Sequence, residues 1–253
     1  MPTDLHVHTL FSCDSNTSME EYCVEAIKQG VTFLCFTDHV DFNNRDMGYD
    51  YYKPEEYFAE LNRVKDKYSD KVTILSGMEF SEPHIYRKEF DKLSKLPYDF
   101  VLGSVHFWID DLFASELLAK GIPLKEAFEK YWIEVLKAVS CGGFDSLAHI
   151  DFPKRYYKDS YWDESMVSDI FKAMIKNNIS LEINTSSLRK GLSETLPGKA
   201  LLDLYIKSGG INVTIGSDAH SATVLAKDYD AAINMLGPSL VNGYYEKRKF
   251  RTF

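Results

Sequence analysis

A chain of 253 residues with 45% apolar side chains can bury a sizeable core, as one α/β barrel domain or two small domains. No apolar run is long enough to span a bilayer, and a net charge of −9 disfavours the broad basic footprint of a nucleic-acid-binding protein. The four cysteines (Cys13, Cys23, Cys35, Cys141) form no close-spaced pair, which argues against a zinc knuckle or a thioredoxin-like motif.

Strand and helix patterns alternate along the chain. The first strand, "DLHVH", follows an N-terminus without a basic or leader-like stretch, which reads as unprocessed and cytoplasmic. A helix follows from Met19 to Gln29, with Thr17 and Glu20 spaced as a capping box and Gly30 as its stop. The second strand is Phe33–Thr37. After the aromatic loop "DFNNRDMGYDYY", Pro54 opens a helix to Tyr68. Strands at Val72–Glu79 and Phe100–His106 come next. A helix from Pro123 to Val139 carries Leu124, Phe128, Tyr131, Trp132, Val135 and Leu136 at helical spacing. A strand at Ser146–His149, a helix at Glu164–Lys176, a strand at Ile179–Asn184 and a helix at Gly198–Lys207 lead to a last strand at Val213–Gly216. A helix at Val224–Leu236 follows, and the basic tail "YYEKRKFRTF" reads as a solvated face. Seven βα-like units of this kind predict a parallel sheet, and the absence of a linker predicts a single domain over residues 1–253.

Six of the seven histidines, His6, His8, His39, His106, His149 and His220, sit at or just past the end of an apolar run; His84 reads as an ordinary loop residue. Strand ends of a barrel converge on one mouth, so these side chains are expected to meet. His6 and His8, two apart on a strand, point to the same side and can grip one ion. Glu79 closes an otherwise core-like run. A carboxylate there is badly buried unless it is paired, and bridging two cations would satisfy both of its oxygens. Asp218 and His220 repeat the alternate spacing in "GSDAH". His106 and His149 supply a second nitrogen-rich site, and Asp14 and His39 lie in loops within reach of a third with His220. Any one such histidine is most simply a satisfied structural residue. Six of them with one Glu and two Asp exceed the needs of one tetrahedral zinc and suit two or three divalent ions of zinc, iron or manganese.

The segments "DLHVHTLFSCD", "FTDH", "GMEF", "SVH", "AHID" and "GSDAH" closely resemble the motifs of the polymerase and histidinol phosphatase (PHP) superfamily, from residue 4 to about residue 220. The resemblance implies an α/β fold, a distorted, TIM-barrel-like (β/α)7 barrel, with the active site at the C-terminal ends of the strands. It also implies a di- or trinuclear metal centre. Carried over by motif, His6, His8, Glu79 and Asp218 would hold one metal, Glu79, His106 and His149 a second, and Asp14, His39 and His220 a third. Many relatives have a histidine in the loop where this chain has Asp14.

Within that superfamily, "LEINTSSLRKG", "ETLP", "VLGSVHF" and "AHIDFPKRY" resemble the histidinol-phosphate phosphatase branch. The expected reaction is therefore hydrolysis of L-histidinol phosphate by a metal-bridging hydroxide, with Glu79 and Asp218 catalytic and Asp218 orienting or deprotonating the nucleophile. Arg155 and Arg189, each a few residues past a strand end, are candidates to hold the phosphate oxygens. Asp41, Glu82, Asp110, Asp111 and Asp151 predict an acidic rim that suits a small phosphorylated amino alcohol and repels a polynucleotide. His84, Trp108 and Tyr156 are candidates to pack against a flat ring. The competing readings are a nucleotide or nucleic-acid phosphoesterase, a protein-tyrosine phosphatase of the same superfamily, and a non-catalytic metal-bound scaffold.

Overall fold

The computed structural model describes residues 2–253. In chain order the elements are β1 (Thr3–Val7), α1 (Met19–Gln29), β2 (Phe33–Phe36), β3 (His39–Val40), α2 (Pro54–Tyr68), β4 (Thr73–Ser81), α3 (Arg87–Leu93), β5 (Phe100–Ser104), α4 (Ala114–Ala119) and α5 (Leu124–Cys141). They continue with β6 (Ser146–Leu147), α6 (Lys154–Tyr157), α7 (Glu164–Lys176), β7 (Ser180–Asn184), α8 (Ser186–Arg189), α9 (Lys199–Lys207), β8 (Asn212–Gly216), α10 (Tyr229–Met235), β9 (Val241–Glu246) and β10 (Lys249–Thr252).

The sheet runs β1-β2-β4-β5-β6-β7-β8-β9-β10, with the short β3 beside the second half of β4. Seven of these strands, β1, β2 and β4 to β8, are the parallel staves of a distorted (β/α)7 barrel. The ring comes together where Val7 bridges Ala219, just past β8. There His8 N–H donates to the Ala219 carbonyl at 2.8 Å. The backbone hydrogen bonds that join β1 to the segment after β8 lie at the C-terminal face, with the strand-end ligands.

Local chemistry sets these elements. α1 is capped by Ser18 with Glu21, one residue later than the Thr17–Glu20 pair, and ends at Gly30 in the left-handed region (φ 71°). In α5, Phe128, Tyr131, Trp132 and Val135 are fully buried, each contributing about 1.5–3 kcal/mol of apolar burial. The Phe144 ring packs directly on Gly103 in β5, where a Cβ would stand 2.7 Å from the ring. No helix among the described residues is long and apolar enough to cross a membrane.

The tail keeps Lys247, Lys249 and Arg251 exposed, as a solvated face does, but turns Tyr245 and Arg248 inward. β9 joins β8 in parallel and turns antiparallel into β10. Tyr245 enters a cluster with Leu5, Cys35, Leu75, Phe100, Leu102 and Ala148. Its hydroxyl donates to the Asp145 carbonyl at 2.8 Å, and Arg248 Nε donates to Asp145 Oδ2 at 2.5 Å. The hairpin thus plugs the barrel floor, and its cations are partly spent on that anchorage. Other boundaries also shift. Glu79 lies inside β4 and not at its end, β6 is only Ser146–Leu147, and the last helix is reduced to Tyr229–Met235 after a 3-10 turn at Ala222–Val224.

Candidate metal centre

The C-terminal ends of the strands converge on the Glu79 carboxylate, which is fully buried. Its Oε2 lies 3.3 Å from His6 Nε2, 3.5 Å from His8 Nε2 and 3.0 Å from His39 Nδ1. Its Oε1 lies 2.9 Å from His149 Nε2 and 3.5 Å from His106 Nε2. Asp218 Oδ1 stands 3.4 Å from His8 Nε2 and 3.9 Å from His6 Nε2. On the outer side, Asp14 Oδ2 is 3.0 Å from His220 Nε2 and 3.7 Å from His39 Nε2. All nine expected ligands are thus brought together, with one Glu79 oxygen turned to each of two groups.

The distal nitrogens decide what these imidazoles present to one another. Ser12 Oγ donates to Asp38 Oδ1 at 2.7 Å, so it accepts from His8 Nδ1–H at 3.1 Å. Ser81 Oγ donates to Asp41 Oδ1 at 2.5 Å, so it accepts from His106 Nδ1–H at 3.0 Å. His6 Nδ1 lies 2.6 Å from Glu182 Oε1, an acceptor. When these three rings are neutral, as metal ligation requires, Nε2 carries the lone pair, and all three point inward. His6 Nε2 and His8 Nε2 are only 2.9 Å apart, and His106 Nε2 and His149 Nε2 are 3.4 Å apart. Lone pairs facing each other at such distances repel, and cations between them remove the repulsion. The donor set therefore fits divalent metal ions.

The electrostatics divide the set: against burial, the surrounding carboxylates raise His6 and His39 well above the ordinary imidazole pKa and raise His106 as well. Burial, reinforced by His39 and His220, holds His8 well below its ordinary pKa, and burial takes His149 down to about 4. Burial alone would raise the Glu79 carboxyl, yet His6 and His39 bring it well below the usual carboxylate range. Three site-forming residues, Glu82 (φ 50°), His149 (φ 26°) and Asp218 (φ 55°), have left-handed backbone, a conformation costing about 1–3 kcal/mol that the packing must sustain.

A cavity of about 360 Å³ opens over this centre. Phe107, Phe113, Phe152 and Tyr156 form an apolar wall, Arg155 and Lys190 bring positive charge, Asp41 and Asp46 bring negative charge, and Arg45 and Glu116 pair with each other at 3.0 Å.

The family model for the PHP domain matches residues 4–186. The chain belongs to the PHP family. A probable histidinol-phosphatase of Clostridium acetobutylicum is 32% identical, covering 98% of each chain. A histidinol-phosphatase of Lactococcus lactis is 31% identical over 87% of this chain and 84% of that protein. The structure of histidinol phosphate phosphatase from Lactococcus lactis in complex with zinc, L-histidinol and phosphate superposes with a TM-score of 0.88, at 26% identity, covering 99% of both chains.

In this PHP chain the two arginines are placed differently. Arg155, buried at the start of α6, turns into the cavity, where its Nη2 contacts Asp218 Oδ2 and donates to Ser186 Oγ at 2.7 Å. Burial would raise the Asp218 carboxyl, but Arg155 and His6 hold it well below its ordinary range. An ionised Asp218 so held suits ligation or orientation and is a poor proton acceptor. Arg189 does not line the cavity. Its Nη2 donates to the Ser217 carbonyl at 2.5 Å, behind Asp218. Each arginine keeps a buried donor without a partner, Nε of Arg155 and Nη1 of Arg189.

The acidic rim is not formed as expected. Glu82 and Asp151 are buried, and Glu82 accepts from the backbone N–H groups of His106 (2.6 Å) and Phe107 (3.2 Å). Asp110 and Asp111 lie outside the cavity, whereas Asp41 lines it. His84 lies outside the cavity and pairs with Glu134 at 2.9 Å; Trp108 donates to the Ala127 carbonyl at 3.0 Å, also outside it. Sequence reasoning missed Glu182, Asp38, Ser12, Ser81 and Lys190. Glu182 gave the same signal as Glu79, a charge within the apolar run "ISLEIN".

Proposed function

We propose that this chain is a metal-dependent phosphomonoesterase that hydrolyses L-histidinol phosphate to L-histidinol and inorganic phosphate. The observation that carries the reading is the convergence of His6, His8, His39, His106 and His149 on Glu79, with Asp218, His220 and Asp14 beside them, beneath a cavity with an aromatic wall and both signs of charge. The near-full-length likeness to histidinol phosphatases supports the substrate. A cavity of about 360 Å³ matches a small ligand and not a polymer.

His6, His8, Glu79 and Asp218 would hold one ion, Glu79, His106 and His149 a second, and Asp14, His39 and His220 a third, each zinc, iron or manganese. When bound, such ions acidify water and neutralise the charge that develops on a transferring phosphoryl group. The protein's own groups do the rest. Arg155, which turns into the cavity, meets phosphate oxygens and keeps Asp218 ionised and oriented, while Arg189 acts from behind Asp218 through the Ser217 carbonyl. The aromatic wall packs against the imidazole of the substrate and excludes water. Asp41 and Asp46 attract its ammonium group.

The decisive assay is phosphate release by metal-reconstituted protein from histidinol phosphate, nucleotides and a phosphotyrosyl peptide. Histidinol phosphate is expected to give the highest kcat/KM. A preference for the peptide or for nucleotides would replace the proposal with one of its superfamily alternatives. Truncating Arg155 should remove a charge-assisted contact with the phosphate, a loss of roughly 1.5–3 kcal/mol. In kcat/KM that is about ten- to a hundredfold. Truncating Arg189, outside the cavity, should cost less. Metal content should be unchanged in Arg189→Ala; in Arg155→Ala it is measured alongside, because Arg155 also holds the ligand Asp218, and lysine there should restore only part of the loss, since a point charge lacks the bidentate geometry. Full kcat/KM in both variants would leave the phosphate to the metals alone.

A further inference from the structure

Glu182 occupies the middle of β7, where a carboxylate with no function would be a liability, since it is only 1% exposed. All its contacts are directed. Oε1 lies 2.6 Å from His6 Nδ1, while Oε2 accepts from His149 N–H at 2.8 Å and from Asn184 Nδ2 at 3.1 Å. The fold makes room for this pair at one point. A Cβ on Gly216 of β8 would stand 2.3 Å from His6 Cβ and 2.6 Å from Glu182 Oε1. His149, whose N–H is held, is one of the residues with left-handed backbone. One carboxylate therefore touches a candidate ligand from β1 and another from the segment after β6. These two ligands reach opposite oxygens of Glu79.

We propose that Glu182 is a positioning residue for both halves of the metal centre. It fixes His6 in the tautomer that donates Nδ1–H and leaves Nε2 free, and it holds the strained backbone that aims His149. The inference rests on the reading of the Glu79 cluster as a metal site. It differs from the arrangement at His8 and His106, where a serine hydroxyl stands between the ring and the carboxylate. A direct carboxylate partner raises ligand basicity more than a relayed one, so His6 is the better donor of the set.

The chemistry makes Glu182→Gln informative. A carboxylate accepts on both oxygens, whereas a carboxamide has one acceptor oxygen and one NH2 group. Whichever way it flips, N–H faces N–H, either at His149 or at His6. If it faces His6, the ring must move its proton to Nε2 and lose the lone pair that a metal needs.

The experiment is zinc titration of stripped Glu182→Gln against a chromophoric chelator, with circular dichroism to show that it is folded. Proton NMR of the zinc-loaded protein then follows the imidazole Nδ1–H of His6, assigned by its loss in His6→Ala. Zinc affinity is expected to fall about ten- to a hundredfold, and the hydrogen-bonded N–H resonance to disappear or move. Wild-type zinc affinity with an unchanged resonance would overturn the proposal. Should Glu182→Gln fail to fold, Glu182→Asp, which keeps the charge but withdraws it by one methylene, is read by the same two measurements and the same criteria. Neither measurement uses substrate, so failure of the phosphatase reading does not bear on it. Unaltered zinc binding in Glu79→Gln would sink the metal reading itself, whereas loss there without loss at Glu182 would sink only this inference.

Discussion

Glu79→Gln is expected to abolish turnover and to reduce metal content while leaving the barrel folded. The wild-type carboxylate offers one oxygen to His6, His8 and His39 and the other to His149 and His106, at 2.9–3.5 Å. The amide is nearly isosteric, so the packing around the side chain survives. What it loses is the negative charge and one of the two acceptor oxygens. Its NH2 group would then face either the nitrogens turned to Oε1 or those turned to Oε2. Removing one preorganised electrostatic group typically costs about 10²–10³ in kcat, and a bridge serves two sites at once. The measurement is steady-state phosphate release with elemental analysis and circular dichroism on the same preparation. Near-wild-type activity with full metal content would show that Glu79 is not the bridge.

The difference between what the sequence revealed and what it hid has a physical origin. His6, His8, His106, His149 and His220 were legible because they interrupt or terminate apolar runs, and period-2 strand geometry fixes the side on which they emerge. Glu79 was legible because an unpaired charge in a buried strand is too costly to be incidental. The second layer was not. Ser12, Ser81 and Asp38 are ordinary loop or strand residues by type, and only the fold brings Ser12 to Asp38 and Ser81 to Asp41. Glu182 carried a signal, but its partner His6 is 176 residues away in sequence. The arginines show the same limit. A loop position after a strand end places Arg155 in the cavity and Arg189 behind Asp218, a difference set by the short helices α6 and α8. In the C-terminal hairpin the exposed cations were legible from composition, while the packing of Tyr245 and Phe250 against the barrel floor was not.

Stripping the protein with a chelator is expected to remove activity and to lower its melting temperature in two stages. Nine ligands in three groups predict two to three equivalents of transition metal per chain in the purified protein. The groups differ in access. Asp14 and His220 have side chains 38% and 30% exposed, whereas His6, His8 and Glu79 are at 1% or below. The outer group also has a weaker second layer, since His220 Nδ1 meets the Asp218 carbonyl at 3.1 Å and its carboxylate at 3.5 Å, with no separate residue behind the ring. Brief dialysis should therefore remove the outer ion first, with a small change in Tm. Exhaustive chelation should then remove the ions around Glu79, leaving inward lone pairs such as those of His6 and His8 opposed at 2.9 Å. An ion present at a hundred times its Kd stabilises the native state by about 2.7 kcal/mol. For a chain of this size each kcal/mol is worth roughly 2–4 °C, so a tight inner site should be worth about 5–10 °C. Elemental analysis and calorimetry on the same samples provide the check. One equivalent or less after full reconstitution, or a Tm indifferent to chelation, would contradict a multinuclear centre. Re-addition of zinc, iron or manganese to the stripped protein, followed by phosphate release from histidinol phosphate, then ranks the metals. The ion that restores both Tm and turnover is the one for which the two buried groups are built.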